Sequence, residues 1–323
     1  MKVDLVIYNG YVSTEQGMVV GGIAIKDGII VQVGGDTSLP EADTYYDANI
    51  IFPGAIEPHC HFELWVVNKH GKFNLDTYIE EVRSETRTAV QGGYTTISST
   101  TMQNAEPMKK RFQEFKEGME GNIFCDVKFH ISPFTDEHLE EIKELSKIGV
   151  TNYKFLMGYR GAGAKALGMD ERGINTSFIY KGFKKIAEAG LPATAMCHCE
   201  DPDIFEITEE AVKAEGAPED YNYTAAQNKA RPAIAEAIDI CKTAYIANEV
   251  GCPLYIVHVS AKESVDQIKF FKEQHFDITA ETCPHYLVFA EEDAICRNNK
   301  EWTHYAKCKR QRTLVERHTG RND

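Results

Sequence analysis

The hydrophobic pattern of the chain changes near residue 50. Before that point, short apolar or alternating runs predict β-strands, because side chains alternate across a strand with a period of two. Asn9-Gly10, Asp27-Gly28 and Gly34-Gly35-Asp36 separate the runs, and Asn-Gly and Asp-Gly pairs are strong signals of hairpin turns. Residues 1–50 are therefore predicted to form a small β-sandwich-type domain, incomplete without a returning C-terminal segment. The predicted strands cover residues 3–8, 11–13, 22–25 and 29–33.

After residue 50, predicted strands alternate with amphipathic helices. The helix after the third strand carries Leu139, Ile142, Leu145 and Ile148 on one face and ends at Gly149. Capping-box patterns at 77–80 and 260–263 predict the beginnings of two more helices. The strands are predicted at 50–57, 94–98, 127–131, 151–156, 193–198, 254–259 and 276–282.

This alternation predicts parallel pairing with right-handed crossovers. Seven strands in one run favour an α/β fold of the (β/α)8 TIM-like barrel type over an open doubly wound sheet. The barrel is predicted over residues 51–296 and lacks its last strand. Residues 297–323 form an atypical basic tail with no clear eighth strand.

The composition narrows the classes of function. A hydrophobic fraction of 43% and a charged fraction of 26% are typical of a soluble globular protein. The net charge of −14 argues against nucleic acid and anionic membrane surfaces as partners, because phosphate binding needs a basic surface. The first residues lack the pattern of a signal peptide, and no apolar run is long enough to cross a bilayer. Nine cysteines without framework spacing indicate reduced thiols, so we expect a cytoplasmic protein.

Histidines recur at the ends of the predicted strands. His59 and His61 follow the first strand and point the same way, since they are two residues apart; His198 ends the fifth strand and His258 the sixth. Active sites of such barrels lie at these strand ends. One strand-end histidine is commonly structural, and an HxH pair alone can be one core and one surface residue. Four histidines at three strand ends favour a metal site instead.

Lys154 is the unusual residue of the fourth predicted strand. A lysine in an apolar strand loses hydration, which lowers its pKa. The neutral amine can add carbon dioxide, and the resulting carbamate can bridge two cations. The alternative is a lysine that snorkels or pairs with Glu200 or Glu281.

A different metal site is conceivable at Cys197-His198-Cys199, as a zinc–thiolate cluster. Structural zinc sites usually take four ligands in paired spacing, and no second such pair is present in the sequence. We therefore interpret both cysteines as packing residues beside a histidine ligand. Cys60, between His59 and His61, is predicted to point away from the metal.

These motifs together resemble the amidohydrolase superfamily, and within it the cyclic amidases of the dihydropyrimidinase/hydantoinase type. Residues 53–61 (PGAIEPHCH) are similar to the family's PGxID-x-HxH, with Glu57 where Asp is usual. Residues 153–159 (YKFLMGY) are similar to its carboxylated-lysine strand, and residues 281–287 (ETCPHYL) to its ETCPQYL. Dihydroorotases carry an Arg at the place of Glu63, whereas dihydropyrimidinases do not. The resemblance runs from about residue 4 to 288.

The resemblance implies hydrolysis of a cyclic amide (a hydantoin, dihydropyrimidine or related cyclic ureide) to an N-carbamoyl amino acid. It implies two divalent ions, zinc by preference, with Lys154 N6-carboxylated between them. His59 and His61 would bind one ion, and His198 and His258 the other. Tyr159 would bind the substrate's amide oxygen and stabilise the oxyanion, although ordinary barrel packing is the alternative. The assembly would be a homotetramer or homodimer.

The chain also departs from the family pattern. The family's catalytic Asp, on the eighth strand after a PPLR-like segment, has no counterpart: residues 306–309 resemble the beginning of that segment, and Arg310-Gln311 follow instead. Asp323 is a poor substitute. We expect a C-terminally truncated or frameshifted chain, possessing the metal ligands and lacking the proton-transfer residue. An inactive chain is therefore one expected outcome.

Three alternatives follow from this. The chain can be an allantoinase-like or dihydroorotase-like enzyme, or a non-catalytic dihydropyrimidinase-related protein that acts by binding or oligomerising.

Residues 160–168 are Gly-rich and could suggest a phosphate loop, but they lack the P-loop order. We expect a mobile loop on the substrate side.

Overall fold

The computed structural model describes residues 2–62, 74–101, 106–216 and 223–288. The chain divides into two compact units. One consists of Met1–Ile56 with Ala89–Thr96, and the other begins at Glu57 and takes up the rest of the described chain. Among the described residues, no helix is both long and apolar enough to span a membrane.

The small N-terminal sheet has five strands in the order β3-β2-β1-β4, with β5 paired to β1. Pairing is antiparallel along β1-β2 and β2-β3, and parallel along β1-β4 and β1-β5. Val3, Val6, Ala24 and Ala42, which lie on strands of this sheet, form a small apolar core. The strands are β1 (Val3–Thr14), β2 (Gly17–Lys26), β3 (Ile29–Gly34), β4 (Ala42–Asp47) and β5 (Ile50–Ile51).

Two predicted turns have different outcomes. Asp27-Gly28 forms the β2–β3 hairpin turn as predicted, with positive φ angles of 51° and 76°. The turn predicted at Asn9-Gly10 is wrong: β1 runs through it, and the register against β2 shifts between Ile7 and Gly10. Asn9 has a φ of 63°, and its N–H donates to Asp36. A left-handed residue serves a bulge as well as a turn, so the dipeptide alone could not distinguish the two.

The second sheet contains seven strands that follow one another in chain order, from β6 to β12. Pairing is parallel from β8 through β12. This order with intervening helices confirms the predicted α/β barrel type of fold, in a chain that also has a small N-terminal sheet. The strands are β6 (Ala55–Cys60), β7 (Tyr94–Thr101), β8 (Asp126–Ile131), β9 (Asn152–Leu156), β10 (Thr194–His198), β11 (Leu254–Ile256) and β12 (Ile278–Ala280).

Ten α-helices lie within the described residues. They are α1 (Leu75–Gln91), α2 (Met108–Met119), α3 (Asp136–Lys147), α4 (Gly161–Ala166), α5 (Thr176–Ala189), α6 (Pro202–Glu215), α7 (Tyr223–Ala230), α8 (Ala233–Val250), α9 (Lys262–Glu273) and α10 (Pro284–Val288). The Gly-rich segment predicted as a loop thus contains the short helix α4, and the N–H of Gly161 donates to the carbonyl of Glu171.

The first predicted barrel strand is split in the structure. Ile50–Ile51 belongs to the small sheet as β5, and β6 begins only at Ala55. Pro53 and Gly54 lie at the break. A Cβ at Gly54 would lie 2.1 Å from the side chain of Thr95, so only glycine fits there. The continuous apolar run predicted one strand because both pieces are apolar.

Both predicted capping boxes are wrong. Helix α1 begins at Leu75, and Asn74 accepts a hydrogen bond from the N–H of Thr77 through its side chain. Ser260 does not cap α9, because its hydroxyl and its N–H both donate to the buried carboxylate of Glu236 on α8. Glu236 also accepts from the N–H of Ala261, the residue before α9. The carboxylate that satisfies this helix end is therefore distant in sequence.

The buried faces of the helices pack against apolar strand residues. On α3, Leu139, Ile142 and Leu145 are buried as predicted, whereas Ile148 is half exposed because the helix has ended at Lys147. On α5, Gly182 lies directly over the ring of Phe155 from β9: a Cβ there would approach Cζ of that ring to 2.6 Å.

The packing of Gly182 gives a stability prediction. The Gly182→Ala variant should lose about 1–3 kcal/mol of unfolding free energy, because the buried Phe155 ring cannot move without disturbing its neighbours. Gly118→Ala on α2 is the matched control: its Cβ would meet only the flexible side-chain ends of Leu75 and Ile79. It should be neutral or gain up to about 1 kcal/mol from helix propensity. Urea denaturation of both variants measures this, and equal effects at the two glycines would contradict it.

Candidate active site

The five predicted metal-binding residues come together at one end of the seven-stranded sheet. His59 lies on β6, with His61 just beyond it; Lys154 lies on β9, His198 ends β10, and His258 follows β11. The ring centroid of His59 lies 5.0 Å from that of His61 and 5.6 Å from that of His258. The ring centroids of His198 and His258 are 4.7 Å apart. Residues separated by up to 199 positions therefore share one site.

Lys154 is fully buried, and its amine faces a histidine rather than a carboxylate. Its Nζ lies 2.9 Å from Nε2 of His59. Burial lowers the pKa of Lys154 from 10.5 to about 7, and the negative charge of Glu281 only partly opposes this. A substantial fraction of the amine is therefore neutral at physiological pH. A neutral amine has the lone pair that addition of carbon dioxide requires.

His198 and His258 form the second pair of nitrogen donors. Nδ1 of His198 lies 3.0 Å from Nε2 of His258. The other ring nitrogen of His198, Nε2, lies 3.3 Å from the buried carboxylate of Glu200. Arg231 donates to that carboxylate at 2.9 Å and stacks on Phe205. The carboxylate thus orients His198 from behind while its Nδ1 faces His258.

His258 is presented by an unusual backbone conformation. Its φ is 39°, in the left-handed region that non-glycine residues seldom adopt. Backbone hydrogen bonds hold the segment on either side: Val257 donates to the carbonyl of Cys197, and Val259 to that of Glu281. These bonds fix the turn that directs the imidazole toward His198.

His59 also has a carboxylate behind it. Its Nδ1 lies 2.7 Å from Oε1 of Glu281, and the other oxygen of Glu281 accepts from the hydroxyl of Tyr255 at 2.7 Å. The backbone N–H of His59 donates to Glu57 at 3.0 Å. Glu57, which stands where the family motif has Asp, therefore serves as a backbone acceptor in this structure.

Sequence reasoning missed two residues of the site. One is Glu281, which the sequence suggested only as an alternative partner of Lys154, whereas in the structure its carboxylate contacts His59. The other is His130 at the end of β8, whose Nε2 lies 2.6 Å from the carbonyl of Pro58. Burial lowers the pKa of His130 to about 4, so the ring is neutral and donates to that carbonyl. The strand-end rule applied to the third strand would have found it.

Burial keeps the imidazoles of His59 and His61 neutral. It is the main cause that lowers the pKa of His59 and of His61 well below the usual histidine value, and the nearby Lys154 acts in the same direction. Neutral imidazoles possess the lone pair that metal coordination needs. Nδ1 of His61 is buried without a hydrogen-bond partner among the described residues.

These donors fit a divalent cation by their chemistry, although they converge as pairs and not as one closed cluster. Within the described ranges, no three His, Cys, Asp or Glu side chains are grouped tightly enough for one ion. Zinc binds imidazole nitrogen at about 2.0–2.1 Å, so two ligands of one tetrahedral ion lie roughly 3.3 Å apart. The 3.0 Å between His198 and His258 is close to that separation.

The cysteines lie outside this donor set. Cys197 and Cys199 are buried, and burial raises the pKa of each thiol well above its usual value. Cys199 contacts the hydroxyl of Thr243, and the thiol of Cys60 donates to the carbonyl of Ser98. Protonated, buried thiols support the interpretation of these residues as packing groups.

Tyr159 lies beside the second histidine pair. Its ring centroid is 5.7 Å from that of His198. Burial and the charge of Glu200 raise the pKa of Tyr159, so the phenol keeps its proton and can donate a hydrogen bond. The segment after α4 packs on its backbone: a Cβ at Gly173 would lie 2.0 Å from the Tyr159 carbonyl oxygen. Glu63 and the tail from 297 to 323, including Asp323, lie outside the described residues.

Comparison with known proteins agrees with this fold and site. The chain belongs to the dihydro-orotase-like family, which matches residues 50–264. This confirms the resemblance to the cyclic amidases of the amidohydrolase superfamily. An allantoinase of Escherichia coli O1:K1 / APEC is 30% identical over 292 residues, which are 89% of this chain and 60% of the relative. The chain therefore spans about three fifths of the length of such relatives.

Solved structures show the same fold. A D-hydantoinase structure superposes with a TM-score of 0.80 at 27% identity, covering 97% of this chain and 65% of the other. Dihydropyrimidinase from Brevibacillus agri NCHU1002 gives a TM-score of 0.72 at 25% identity, covering 88% of this chain and 58% of the other.

The buried amine of Lys154 gives a prediction for stability against pH. In the folded protein the amine is neutral above about pH 7, whereas in the unfolded chain it stays protonated to about pH 10.5. Between these values the unfolded state binds more protons, so this group makes stability rise with pH by at most about 1.4 kcal/mol per unit. Lys154→Met should therefore stabilise the metal-free protein most at or below pH 7, and less toward pH 10.

Urea denaturation of metal-free protein in CO2-free buffer at pH 6, 7.5 and 9 measures this difference. Lys269→Met, at an exposed position of α9, is the control and should show no such dependence. A Lys154→Met effect that does not change with pH would show that the amine is not forced toward its neutral form.

Proposed function

We propose that this chain carries the metal centre of a cyclic amidase, which opens a ring amide of a hydantoin, dihydropyrimidine or related cyclic ureide. The product would be an N-carbamoyl amino acid or a close relative. The observation that carries the proposal is the buried amine of Lys154, facing His59 beside the His198–His258 pair. The family membership supports it, because allantoinase and D-hydantoinase relatives act on such rings by their names.

The metal centre is part of the proposal. When bound, two divalent cations, zinc by preference, would supply Lewis acidity and a water of lowered pKa. His59 and His61 would hold one ion and His198 and His258 the other, with N6-carboxylated Lys154 shared between them. Carboxylation of Lys154 joins its neutral nitrogen to the carbon of carbon dioxide and releases one proton from the nitrogen.

The remaining roles belong to groups that hold the substrate and the ligands. The hydroxyl of Tyr159 would donate a hydrogen bond to the ring carbonyl oxygen, where negative charge develops as the carbonyl is attacked. Glu200, with Arg231, would keep His198 in the orientation that directs its Nδ1 toward His258. Proton transfer to the leaving ring nitrogen is assigned to none of the described residues.

Three subsidiary proposals concern the whole protein. We propose a cytoplasmic location and a homo-oligomer, dimeric or tetrameric. Residues 51–296 would form the hydrolase domain and residues 1–50 the small β-domain. Light scattering of the purified protein at several concentrations tests the oligomer, and a monomer at all of them would refute that part.

The activity is tested with zinc-loaded protein prepared in the presence of bicarbonate. Ring opening of hydantoin, dihydrouracil and allantoin is followed by chromatography of the carbamoyl products. Turnover of at least one substrate would support hydrolysis by this chain, and it would contradict the expectation that the chain lacks its proton-transfer residue. Tyr159→Phe should lower kcat by about 100-fold to 1,000-fold while leaving bound zinc unchanged, since the phenol acts on the oxyanion and not on the metal.

His198→Asn is the matched variant and should lower both bound zinc and turnover. If the protein binds two equivalents of zinc but opens none of the rings, the proposed metal centre is supported and the proposed hydrolysis by this chain is rejected. Neither zinc nor turnover would favour the non-catalytic binding protein.

A further inference from the structure

The two ring nitrogens of His59 have different partners. Nε2 faces the amine of Lys154 at 2.9 Å, and Nδ1 faces the carboxylate of Glu281 at 2.7 Å. The side chains are almost fully buried, with 6% of His59 and 14% of Glu281 exposed. Water therefore has little access to this contact, and the partners themselves decide which nitrogen carries the proton.

Glu281 is held in place by several groups besides the imidazole. Its Oε2 accepts from the hydroxyl of Tyr255 at 2.7 Å, and the backbone N–H of His258 also hydrogen-bonds the carboxylate. Its own N–H donates to the carbonyl of Ile256, and its carbonyl accepts from Val259. A carboxylate that already receives two donors is suited to accept a third, from Nδ1–H of His59.

We propose that Glu281, fixed by Tyr255, is a positioning residue that holds His59 as the Nδ1–H tautomer and turns its Nε2 lone pair toward Lys154. The consequence of this for metal binding rests on the proposed function. The tautomer itself does not, because it is a property of the metal-free protein.

Two other contacts make the backbone of His59 a fixed support for this arrangement. Glu57 accepts from its N–H, and His130 donates to the carbonyl of Pro58, the residue before it. The main chain is therefore held independently of the ring. Loss of Glu281 should change the tautomer and rotation of the imidazole while β6 stays where it is.

Glu281 contacts the segments of both His59 and His258, so its loss should affect more than the His59 ring. Its side chain reaches His59, on β6, and the backbone of His258, after β11. One carboxylate thus sets the relation between residues proposed to bind different ions. A purely structural role for Glu281 would predict loss of stability without a change in the His59 ring.

The test uses the whole chain with 15N-labelled histidine. In the metal-free wild-type protein, long-range proton–nitrogen spectra should show His59 protonated at Nδ1 and unprotonated at Nε2, with the resonances assigned by a His59→Gln variant. Glu281→Gln should produce a mixture of tautomers, and Glu281→Asp should restore part of the Nδ1–H form. Zinc affinity, measured by competition with a chelating dye, should fall about 10-fold to 100-fold in Glu281→Gln.

Two matched controls separate this from a general disturbance. Glu200→Gln should alter the ring resonances of His198 and leave those of His59 unchanged. Glu273→Gln, at an exposed position of α9, should alter neither. Tyr255→Phe should shift His59 in the same direction as Glu281→Gln but less, and it carries the test if Glu281→Gln does not fold.

The proposal is overturned if His59 stays in the Nδ1–H form in Glu281→Gln, or in Tyr255→Phe when that variant carries the test. A His59 protonated at Nε2 in the wild-type protein would also overturn it. If wild-type protein binds no zinc and opens no ring, the proposed function fails, and the spectra of the metal-free variants still decide the role of Glu281.

Discussion

The site depends on one contact: the amine of Lys154 buried against Nε2 of His59. Burial in an apolar sheet is unfavourable for a charged ammonium, and the amine responds by losing its proton more readily. The imidazoles of His59 and His61 are kept neutral by the same low polarity. One physical condition, exclusion of water from this end of the sheet, thus favours the neutral forms of Lys154, His59 and His61, which the proposed carboxylation and metal binding require.

Exclusion of water also explains why carboxylates stand behind the histidines. Each ring nitrogen that faces away from the donor set needs a hydrogen-bond partner, because an unsatisfied polar atom is costly in a dry interior. Glu281 supplies it for His59 and Glu200 for His198. Their own oxygens are satisfied in turn by Tyr255 and Arg231. The polar network therefore extends outward from the donors, each partner stabilising the one inside it.

The sequence predicted the alternation of strands and helices and the strand-end positions of the donors, because both follow from local periodicity. It could not predict contacts between distant residues. Ser260 has the local pattern of a helix cap, yet Glu236 binds its hydroxyl. The contact of His59 with Glu281 spans 222 positions, so no spacing rule indicates it. At Asn9-Gly10 the sequence predicted a turn, but the left-handed Asn9 lies in a bulge of β1, because the register against β2 shifts there.

The left-handed backbone of His258 and the buried amine of Lys154 share a consequence for engineering and for evolution. Each carries a free-energy cost that an ordinary residue at the same place would avoid: glycine or asparagine tolerates the φ of 39°, and an apolar side chain tolerates the buried position. Selection for thermal stability alone would therefore favour replacement of these two residues, and the more stable protein would lose two residues of the proposed metal centre. We interpret their presence as selection for the proposed chemistry, because folding stability alone favours other residues at both positions.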